Sequence, residues 1–401
     1  MTVIHESVWP AAFGPERRGT LPPVEGHTEP KLTPTIADVL SSAVAVLGVP
    51  GVENTLGLPE ARRVCVILVD GLGLRLLKKR AAYAPFLKSV INSNRPLEAA
   101  FPSTTATSLA SFGTGLPPGQ HGLAGYDAVD PVKRRTVNQL SGWPDDLIPD
   151  EWQPHRTLFE RASEVVNVTT VSKSKFEESS LTRAALRGGN FVAAGSLTAR
   201  AGAALEALKA PESLVYFYWD EIDKAGHRFG SESDKWTYQL EELDSGLKRF
   251  IARVPANTLV LLTADHGMVD IPASQRIDFS EFPELLEGIE LTAGEPRCVQ
   301  LHFSQDATAE VRQQTIAAWR ERFAKQAVVM ERDEVIARGL LGENPDPRVL
   351  GRFGDVFVLC HAQIALYDGR RVAPHAFDVI GQHGSLTAAE LLIPLLTLKK
   401  P

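Results

Sequence analysis

The sequence predicts an α/β fold in which a mostly parallel central sheet carries helices on both faces. Three runs of apolar and aromatic residues support this prediction, at 62–73, 213–219 and 258–263. Continuous apolar runs of this length are typical of parallel strands that are buried on both faces. Each run delivers an acidic residue at its carboxyl end, namely Asp70, Asp220 and Asp265. Because open α/β sheets bind ligands at this edge, we expect the functional site there.

The composition is that of an ordinary globular protein with a sizeable core, since 44% of the 401 residues are hydrophobic and 23% are charged. A formal net charge of −7 argues against wrapping of nucleic acid. The sequence contains no apolar run long enough to span a membrane and no secretory signal, so we expect a cytoplasmic protein. Its three separated cysteines indicate buried thiols in a reducing compartment. The sequence leaves the oligomeric state open.

The segments around these strands carry helix, turn and loop patterns. Helices are predicted from apolar residues at helical spacing, and loops from clusters of proline, glycine and tryptophan. In chain order we expect an extended arm over 1–34, helices over 35–47 and 74–93, a loop or lid over 127–160, a strand over 165–171, a turn-rich connection over 183–189, and helices over 198–208 and 233–254.

The pattern changes after about residue 282. A strand is predicted over 296–303, a helix over 307–326, and a strand that leads into a helix over 327–336. We interpret 282–355 as a small α+β insertion, and 35–281 with 356–401 as the main α/β core.

The segment 101–121, FPSTTATSLASFGTGLPPGQH, leads into a helical pattern with a cluster of hydroxyls: Ser103, Thr104, Thr105, Thr107 and Ser108. The backbone N–H groups at a helix start favour an anion such as phosphate. In isolation, a Ser/Thr cluster at such a place is more often a helix cap.

Aspartate and histidine recur in three further segments. Asp223 and His227 are four residues apart, which is one helical turn. Asp265 and His266 are adjacent at a strand end, and His383 lies between Gln382 and Gly384. Carboxylates and imidazoles drawn from separate segments are typical ligands of zinc and similar divalent ions. Each piece alone is more often a salt bridge, a turn or a cap.

Taken together, these segments form a combination of motifs that is unlikely to occur by chance. VILVDGLG with Asp70, the 101–122 segment, Asp223-x3-His227, TADHGM and QHGSL occur in an order that resembles the alkaline phosphatase superfamily. The order is most similar to the nucleotide pyrophosphatase/phosphodiesterase branch of that superfamily. The resemblance spans about 63–394 and leaves the N-terminal arm and 282–355 without a motif.

The resemblance implies two divalent metal ions, expected to be Zn²⁺ with Mn²⁺ as the alternative. One ion would be held by Asp70, Asp265, His266 and Thr105, and the other by Asp223, His227 and His383. In this branch the nucleophile is a threonine shortly before a Thr-Gly pair. Counting back from Thr114 and Gly115 gives Thr105, with Thr104 and Ser103 as alternatives.

The implied activity is hydrolysis of phosphodiester or pyrophosphate bonds in a small phosphate ester or nucleotide, by attack of Thr105 on phosphorus. The family has an asparagine that contacts a phosphate oxygen where this chain has Gly125 and Tyr126. A tyrosine hydroxyl can donate a similar hydrogen bond, so Tyr126 is the candidate. The alternatives are a phosphomonoesterase or phosphonate hydrolase on the same scaffold, a mutase, and a metal-bound protein that binds a phosphorylated ligand without turnover.

Overall fold

A computed structural model describes residues 33–93 and 95–401. Its strands alternate with helices along most of the chain. In chain order the strands are β1 (Arg63–Val69), β2 (Leu97–Glu98), β3 (Asp127–Asp130), β4 (Arg135–Asn138), β5 (Asn167–Ser172), β6 (Asn190–Ala193), β7 (Ser213–Trp219), β8 (Thr258–Thr263), β9 (Val269–Asp270), β10 (Arg276–Asp278), β11 (Ile289–Glu295), β12 (Cys298–Phe303), β13 (Ala327–Glu331), β14 (Val356–Cys360), β15 (Ala365–Tyr367), β16 (Gly381–Gln382), β17 (Leu392–Ile393) and β18 (Leu395–Lys399).

The helices are α1 (Ala37–Val46), α2 (Leu74–Lys79), α3 (Pro85–Val90), α4 (Thr105–Thr114), α5 (Pro118–His121), α6 (Pro149–Trp152), α7 (Leu158–Ala162), α8 (Ser180–Ala185), α9 (Leu197–Ala207), α10 (Glu221–Phe229), α11 (Asp234–Ile251), α12 (Ala309–Arg322), α13 (Arg332–Ala337), α14 (Pro347–Leu350) and α15 (Ala388–Leu391). None that the described residues form is long and apolar enough to cross a membrane.

The central sheet has six strands in the order β18-β8-β1-β7-β5-β6. β1 pairs in parallel with β7 and β8, and β5 pairs in parallel with β6 and β7. β18 runs antiparallel to β8 and closes one edge. Every residue of β7 and β8 is buried, as expected for strands covered on both faces. The predicted strands at 213–219 and 258–263 are confirmed residue for residue.

Helices cover both faces of this sheet, which confirms the predicted fold class. One group contains α1, α4, α7 and α8, which pack against one another. The other group contains α9, α10 and α11, with α3 packed against α11. The parallel strands therefore lie between two helical layers, and their carboxyl ends remain available to loops.

A second sheet is antiparallel and has the order β13-β14-β12-β11-β3-β4. It takes β3 and β4 from within 127–160, so the prediction of a loop or lid over that whole segment is wrong. The sequence shows no alternating strand pattern there, because both strands are only four residues long. The sheet also takes β14 from 356–360. The division at 282–355 stays a prediction, and this sheet extends beyond it on both sides.

Two further predictions differ from the structure. The helix expected over 74–93 is divided into α2 and α3, because Pro85 lacks a backbone N–H and begins a new helix. The connection expected over 183–189 starts inside α8, whose N-cap hydroxyl, Ser179, accepts a hydrogen bond from the Thr182 N–H at 3.2 Å. The predicted N-terminal arm lies outside the described residues except for Thr33 and Pro34.

A buried ion pair connects the second sheet to the carboxyl edge of the first. The Arg297 guanidinium, in the turn between β11 and β12, donates two hydrogen bonds to the Glu390 carboxylate at 2.7 and 2.8 Å. Both side chains are inaccessible to solvent. The same carboxylate accepts a bond from the Ser385 N–H at 3.1 Å. Glu390 therefore fixes the loop that carries His383.

Candidate active site

Segments at the carboxyl edge of the parallel sheet, together with the loop after β16, bring the predicted site residues together. Each segment follows a strand, so strand geometry sets where its side chains begin. Asp70 follows β1, and Asp265 and His266 follow β8. Asp223 and His227 lie on α10, which follows β7, and His383 follows β16.

The three imidazoles share one orientation. In each ring Nδ1 lies next to a backbone carbonyl, which can only accept a hydrogen bond, so Nδ1 carries the proton. In the neutral form of each ring, the other nitrogen, Nε2, then presents its lone pair to the centre of the site. The carbonyls are those of Gly381 for His227 at 2.7 Å, Gly267 for His266 at 2.9 Å, and Ser103 for His383 at 2.9 Å.

The three carboxylates of the site are buried close to one another. One oxygen of each, Asp70 Oδ1, Asp223 Oδ1 and Asp265 Oδ2, has no hydrogen-bond partner within the part of the chain that the structure describes. Burial, followed by the charges of Asp265 and Asp223, holds the pKa of Asp70 well above its usual range. Buried like charges with free oxygens are unfavourable unless a cation compensates them.

The pKa values of two of the imidazoles are shifted in opposite directions. Burial disfavours the charged form of His227, but the Asp223 carboxylate, 3.2 Å from its Nε2 atom, raises its pKa to about 9. Burial and the neighbouring rings of His266 and His227 hold the pKa of His383 well below its usual range. The rings of His266 and His383 stack with centroids 3.6 Å apart. A neutral imidazole is the form that binds a metal.

The donor set fits divalent metal ions. Asp223, His227 and His383 offer ligand atoms that all lie within 4.8 Å of one another, and so do Asp70, Asp223 and His266. Asp265 lies beside the second group, with Oδ2 3.6 Å from the Nε2 atom of His266. Oxygen and nitrogen donors of this kind suit zinc, and manganese in an oxygen-rich site. Three unpartnered carboxylate oxygens and three inward Nε2 atoms support that fit.

Thr105 is the first residue of α4, and its hydroxyl lies 3.1 Å from the Nε2 atom of His266. Thr104, the N-cap, is extended with φ −139° and ψ 155° and lies beside it. The alternative Ser103 is engaged elsewhere, because its hydroxyl donates to the Ser385 carbonyl at 2.7 Å. Among the candidate nucleophiles, Thr105 is therefore the one that the structure brings to the imidazole and carboxylate cluster.

A cavity of about 650 Å³ opens in front of these residues, with Asp70, Thr105 and His383 in its wall. Tyr126 lines the same cavity and is 39% exposed. Its backbone N–H donates to the Glu295 carboxylate at 2.6 Å. The structure thus places Tyr126 at the cavity, with its backbone held by Glu295.

Two residues near the site were not predicted. The Tyr218 hydroxyl donates to Asp70 Oδ2 and so orients that carboxylate. Glu295 is 4% exposed, lines the cavity, and has an Oε2 atom without a partner among the described residues. Burial holds the pKa of Glu295 well above its usual range. Tyr218 lies in a strand rich in aromatic residues, so the sequence does not distinguish it from a core residue. Glu295, between Gly294 and Pro296, is a charged residue in a strand, which is only a weak indication of a functional role.

Comparison with known proteins identifies the family of the chain. The family of type I phosphodiesterase / nucleotide pyrophosphatase matches residues 64–386. Murine ectonucleotide pyrophosphatase/phosphodiesterase 5, solved as an inactive variant in complex with AMP, is 16% identical with a TM-score of 0.66, over 84% of this chain and 88% of that one. Phosphonoacetate hydrolase from Sinorhizobium meliloti 1021, solved with phosphonoformate, is 18% identical with a TM-score of 0.64, over 86% and 92%.

The fold and the family match together define a hydrolase that acts on phosphoester bonds and belongs to the alkaline phosphatase superfamily. The family implies divalent metal ions as cofactors. Because the match covers most of the chain, the protein belongs to the type I phosphodiesterase / nucleotide pyrophosphatase family.

Proposed function

We propose that the protein hydrolyses phosphodiester or pyrophosphate bonds by attack of Thr105 on phosphorus, at a site that holds two divalent metal ions. The observation that carries the proposal is the position of the Thr105 hydroxyl, 3.1 Å from the Nε2 atom of His266 at the start of α4. A family relative, the murine enzyme above, is inactive when one of its threonines is replaced by alanine, which supports a threonine nucleophile here.

We propose that Asp70, Asp265, His266 and Thr105 hold one ion, and that Asp223, His227 and His383 hold the other. Zn²⁺ suits these ligands best, with Mn²⁺ as the alternative. Bound divalent ions would supply Lewis acidity, which activates a hydroxyl and offsets charge on phosphate oxygens. The carbonyls of Gly381, Gly267 and Ser103 hold the three rings with Nε2 inward, so little reorganisation is needed when ions bind.

The residues of the chain then act in a fixed order. The Thr105 hydroxyl gives up its proton as its oxygen forms a bond to phosphorus, while the bond from phosphorus to the leaving oxygen breaks and that oxygen takes up a proton. The resulting threonine ester keeps the substituent that stays on phosphorus. Water next cleaves the bond from phosphorus to the Thr105 oxygen, which regenerates the threonine and releases the phosphate product. The backbone N–H groups in the first turn of α4 face the negative charge that develops on the phosphoryl oxygens. Thr104 and Thr105 are largely buried and line the cavity, so substrate and water reach the hydroxyl through it.

Tyr126 is the proposed donor to a phosphate oxygen. It lies in the wall of the cavity that contains Thr105. A small phosphate ester or nucleotide is the proposed substrate, and the complex of the murine relative with AMP supports it. A cytoplasmic location is part of the proposal, supported by three buried free thiols, Cys65, Cys298 and Cys360.

The test is hydrolysis of bis-p-nitrophenyl phosphate and p-nitrophenyl phosphate by protein that is stripped with a chelator and reloaded with Zn²⁺ or Mn²⁺. We expect activity that returns with metal and a preference for the diester. Preference for the monoester, or turnover of phosphonoacetate instead, would favour a phosphomonoesterase or a phosphonate hydrolase. Tight metal binding without turnover of any of these substrates would favour a protein that binds a phosphorylated ligand.

A further inference from the structure

The cavity in front of Thr105 continues into an arm between α4, α8 and the strands β5, β6 and β7. Its apolar wall consists of Leu109 on α4, Leu181 and Leu186 on and after α8, and Phe191 on β6. Leu109 follows Thr105 by one helical turn, so the arm begins beside the candidate nucleophile. We call this part of the cavity the strand arm.

Three buried hydroxyls also line the strand arm: Thr170 and Ser172 on β5, and Tyr216 on β7. Their residues are 5%, 3% and 1% exposed. None of the three hydroxyls has a hydrogen-bond partner among the described residues. Buried hydroxyls are nearly always paired in proteins, so a cluster of three in a cavity wall indicates a missing polar partner.

The strand register places these hydroxyls together. Thr170 is the direct partner of Tyr216 in the parallel pairing of β5 with β7, and Ser172 follows Thr170 by two residues on the same face. Tyr218, two residues after Tyr216 on that face, reaches Asp70. The strand arm is therefore continuous with the proposed metal site along one face of the sheet.

Packing holds the strand arm open. The Tyr216 ring lies against Phe112 and Phe159, with centroids 5.2 and 5.6 Å away, which fixes where its hydroxyl points. α4 and α8 meet further along α4, at Gly113, where an added Cβ would lie 1.8 Å from the Ala185 carbonyl oxygen. The cavity-lining residues that α4, α8, β5, β6 and β7 contribute are all uncharged, while Lys175, in the segment between β5 and α8, also lines the cavity and lies 4.7 Å from the centroid of the Phe176 ring.

We propose that the strand arm binds an uncharged, mostly apolar ester group of the substrate that carries at least one hydrogen-bonding atom. Apolar walls favour the body of such a group, and the three hydroxyls can donate to or accept from its polar atom. An ionised group would lie among uncharged side chains and would not be compensated there. This inference rests on the proposed function and specifies its substrate class.

The strand arm holds the ester group that stays on phosphorus. In an in-line displacement, the leaving oxygen departs on the side opposite the attacking hydroxyl. The strand arm opens on the side of the attacking residue, because Leu109 and Thr105 lie on the same helix. The leaving group would therefore depart away from it.

The test uses metal-loaded protein and three phosphodiesters that share a p-nitrophenyl leaving group. Their second ester groups are methyl, phenyl and 4-acetylphenyl. We expect kcat/KM to rise about tenfold from methyl to phenyl, through apolar burial, and about fivefold more with the acetyl carbonyl. Thr170→Val should remove the second gain. Thr169→Val is the matched control, since Thr169 points to the opposite face of β5.

Equal kcat/KM for all three diesters in the wild type would overturn the proposal that the strand arm binds the ester group, while leaving the proposed function intact. Identical behaviour of Thr170→Val and Thr169→Val would overturn the role of the hydroxyls. A readout without turnover is binding of 4-hydroxyacetophenone, followed by ligand-observed NMR. Binding weakened about fivefold by Thr170→Val but not by Thr169→Val supports the strand arm even if no diester is hydrolysed, and equal binding overturns it.

Discussion

The Thr105 hydroxyl and the Nε2 atom of His266 lie 3.1 Å apart, although 161 positions separate the two residues in the chain. The contact joins the first residue of α4 to the loop after β8. Since Nδ1 of His266 donates to the Gly267 carbonyl, Nε2 has a lone pair that faces the hydroxyl. The fold thus holds a hydroxyl, an imidazole and buried carboxylates at one point before any substrate binds.

Tyr218→Phe removes the hydroxyl that donates to Asp70 Oδ2. We expect metal affinity to fall about tenfold with the fold retained, because groups that orient a ligand contribute on that order. Competition with a chromogenic chelator measures the change. Tyr216→Phe is the matched control, since Tyr216 lies on the same strand without a bond to Asp70. Equal affinities in the two variants would contradict the orienting role of Tyr218.

Arg297→Ala leaves the buried Glu390 carboxylate without its guanidinium partner. We expect the free energy of unfolding to fall by about 3–5 kcal/mol, as is typical when one member of a buried ion pair is removed. Urea denaturation followed by circular dichroism measures it. The control is Arg62→Ala, which breaks a pair whose side chains are 69% and 53% exposed and should cost at most about 1 kcal/mol. Similar losses of unfolding free energy in both variants would contradict a larger contribution from the buried ion pair than from the exposed one.

Because the His121 ring is buried in its neutral form, we expect the stability of the fold to depend on pH. Its ring is fully buried and bonded to Ser111 at 2.9 Å, and burial, with the charges of His155 and Arg352, lowers its pKa to about 3. In the unfolded chain the pKa is about 6.5. The unfolded state therefore binds a proton first as the pH falls, so stability is lost below about pH 6.5.

We expect the wild type to lose about 2 kcal/mol more than His121→Asn between pH 7 and pH 5, at about 1.4 kcal/mol per pH unit below pH 6.5. Asparagine keeps an acceptor for the Leu123 N–H, which donates to Nδ1 in the wild type at 3.1 Å. Urea titrations of both proteins at the two pH values, with metal removed, measure the difference. Parallel pH profiles would show that His121 is not the source.

The sequence was informative wherever local pattern decides structure. Strands buried on both faces leave a continuous apolar run, so β7 and β8 were located to the residue. Acidic residues after such strands identified the functional edge, but not which acid belongs to the site. Asp220 follows β7, yet it pairs with Lys173 at 2.9 Å, whereas Asp223 lies one turn later in the cluster.

The remaining features depend on contacts between distant segments. β3 and β4 are too short to leave a pattern, and they join a sheet whose other strands come from beyond residue 288. A tyrosine in an aromatic strand gives no sign that its hydroxyl reaches Asp70, as that of Tyr218 does. The unpartnered hydroxyl of Thr170 likewise emerges only from the pairing of β5 with β7.

The most direct test of the central claim is whether the phosphoryl group of the substrate becomes attached to Thr105. The metal-loaded protein is quenched in acid during turnover of bis-p-nitrophenyl phosphate, digested, and analysed by mass spectrometry. We expect a p-nitrophenylphosphoryl group on Thr105, none in Thr105→Ala, and a loss of kcat of at least about a thousandfold in that variant. Thr104→Ala should keep the modification on Thr105. The same group on Thr104, or full turnover by Thr105→Ala, would contradict the account.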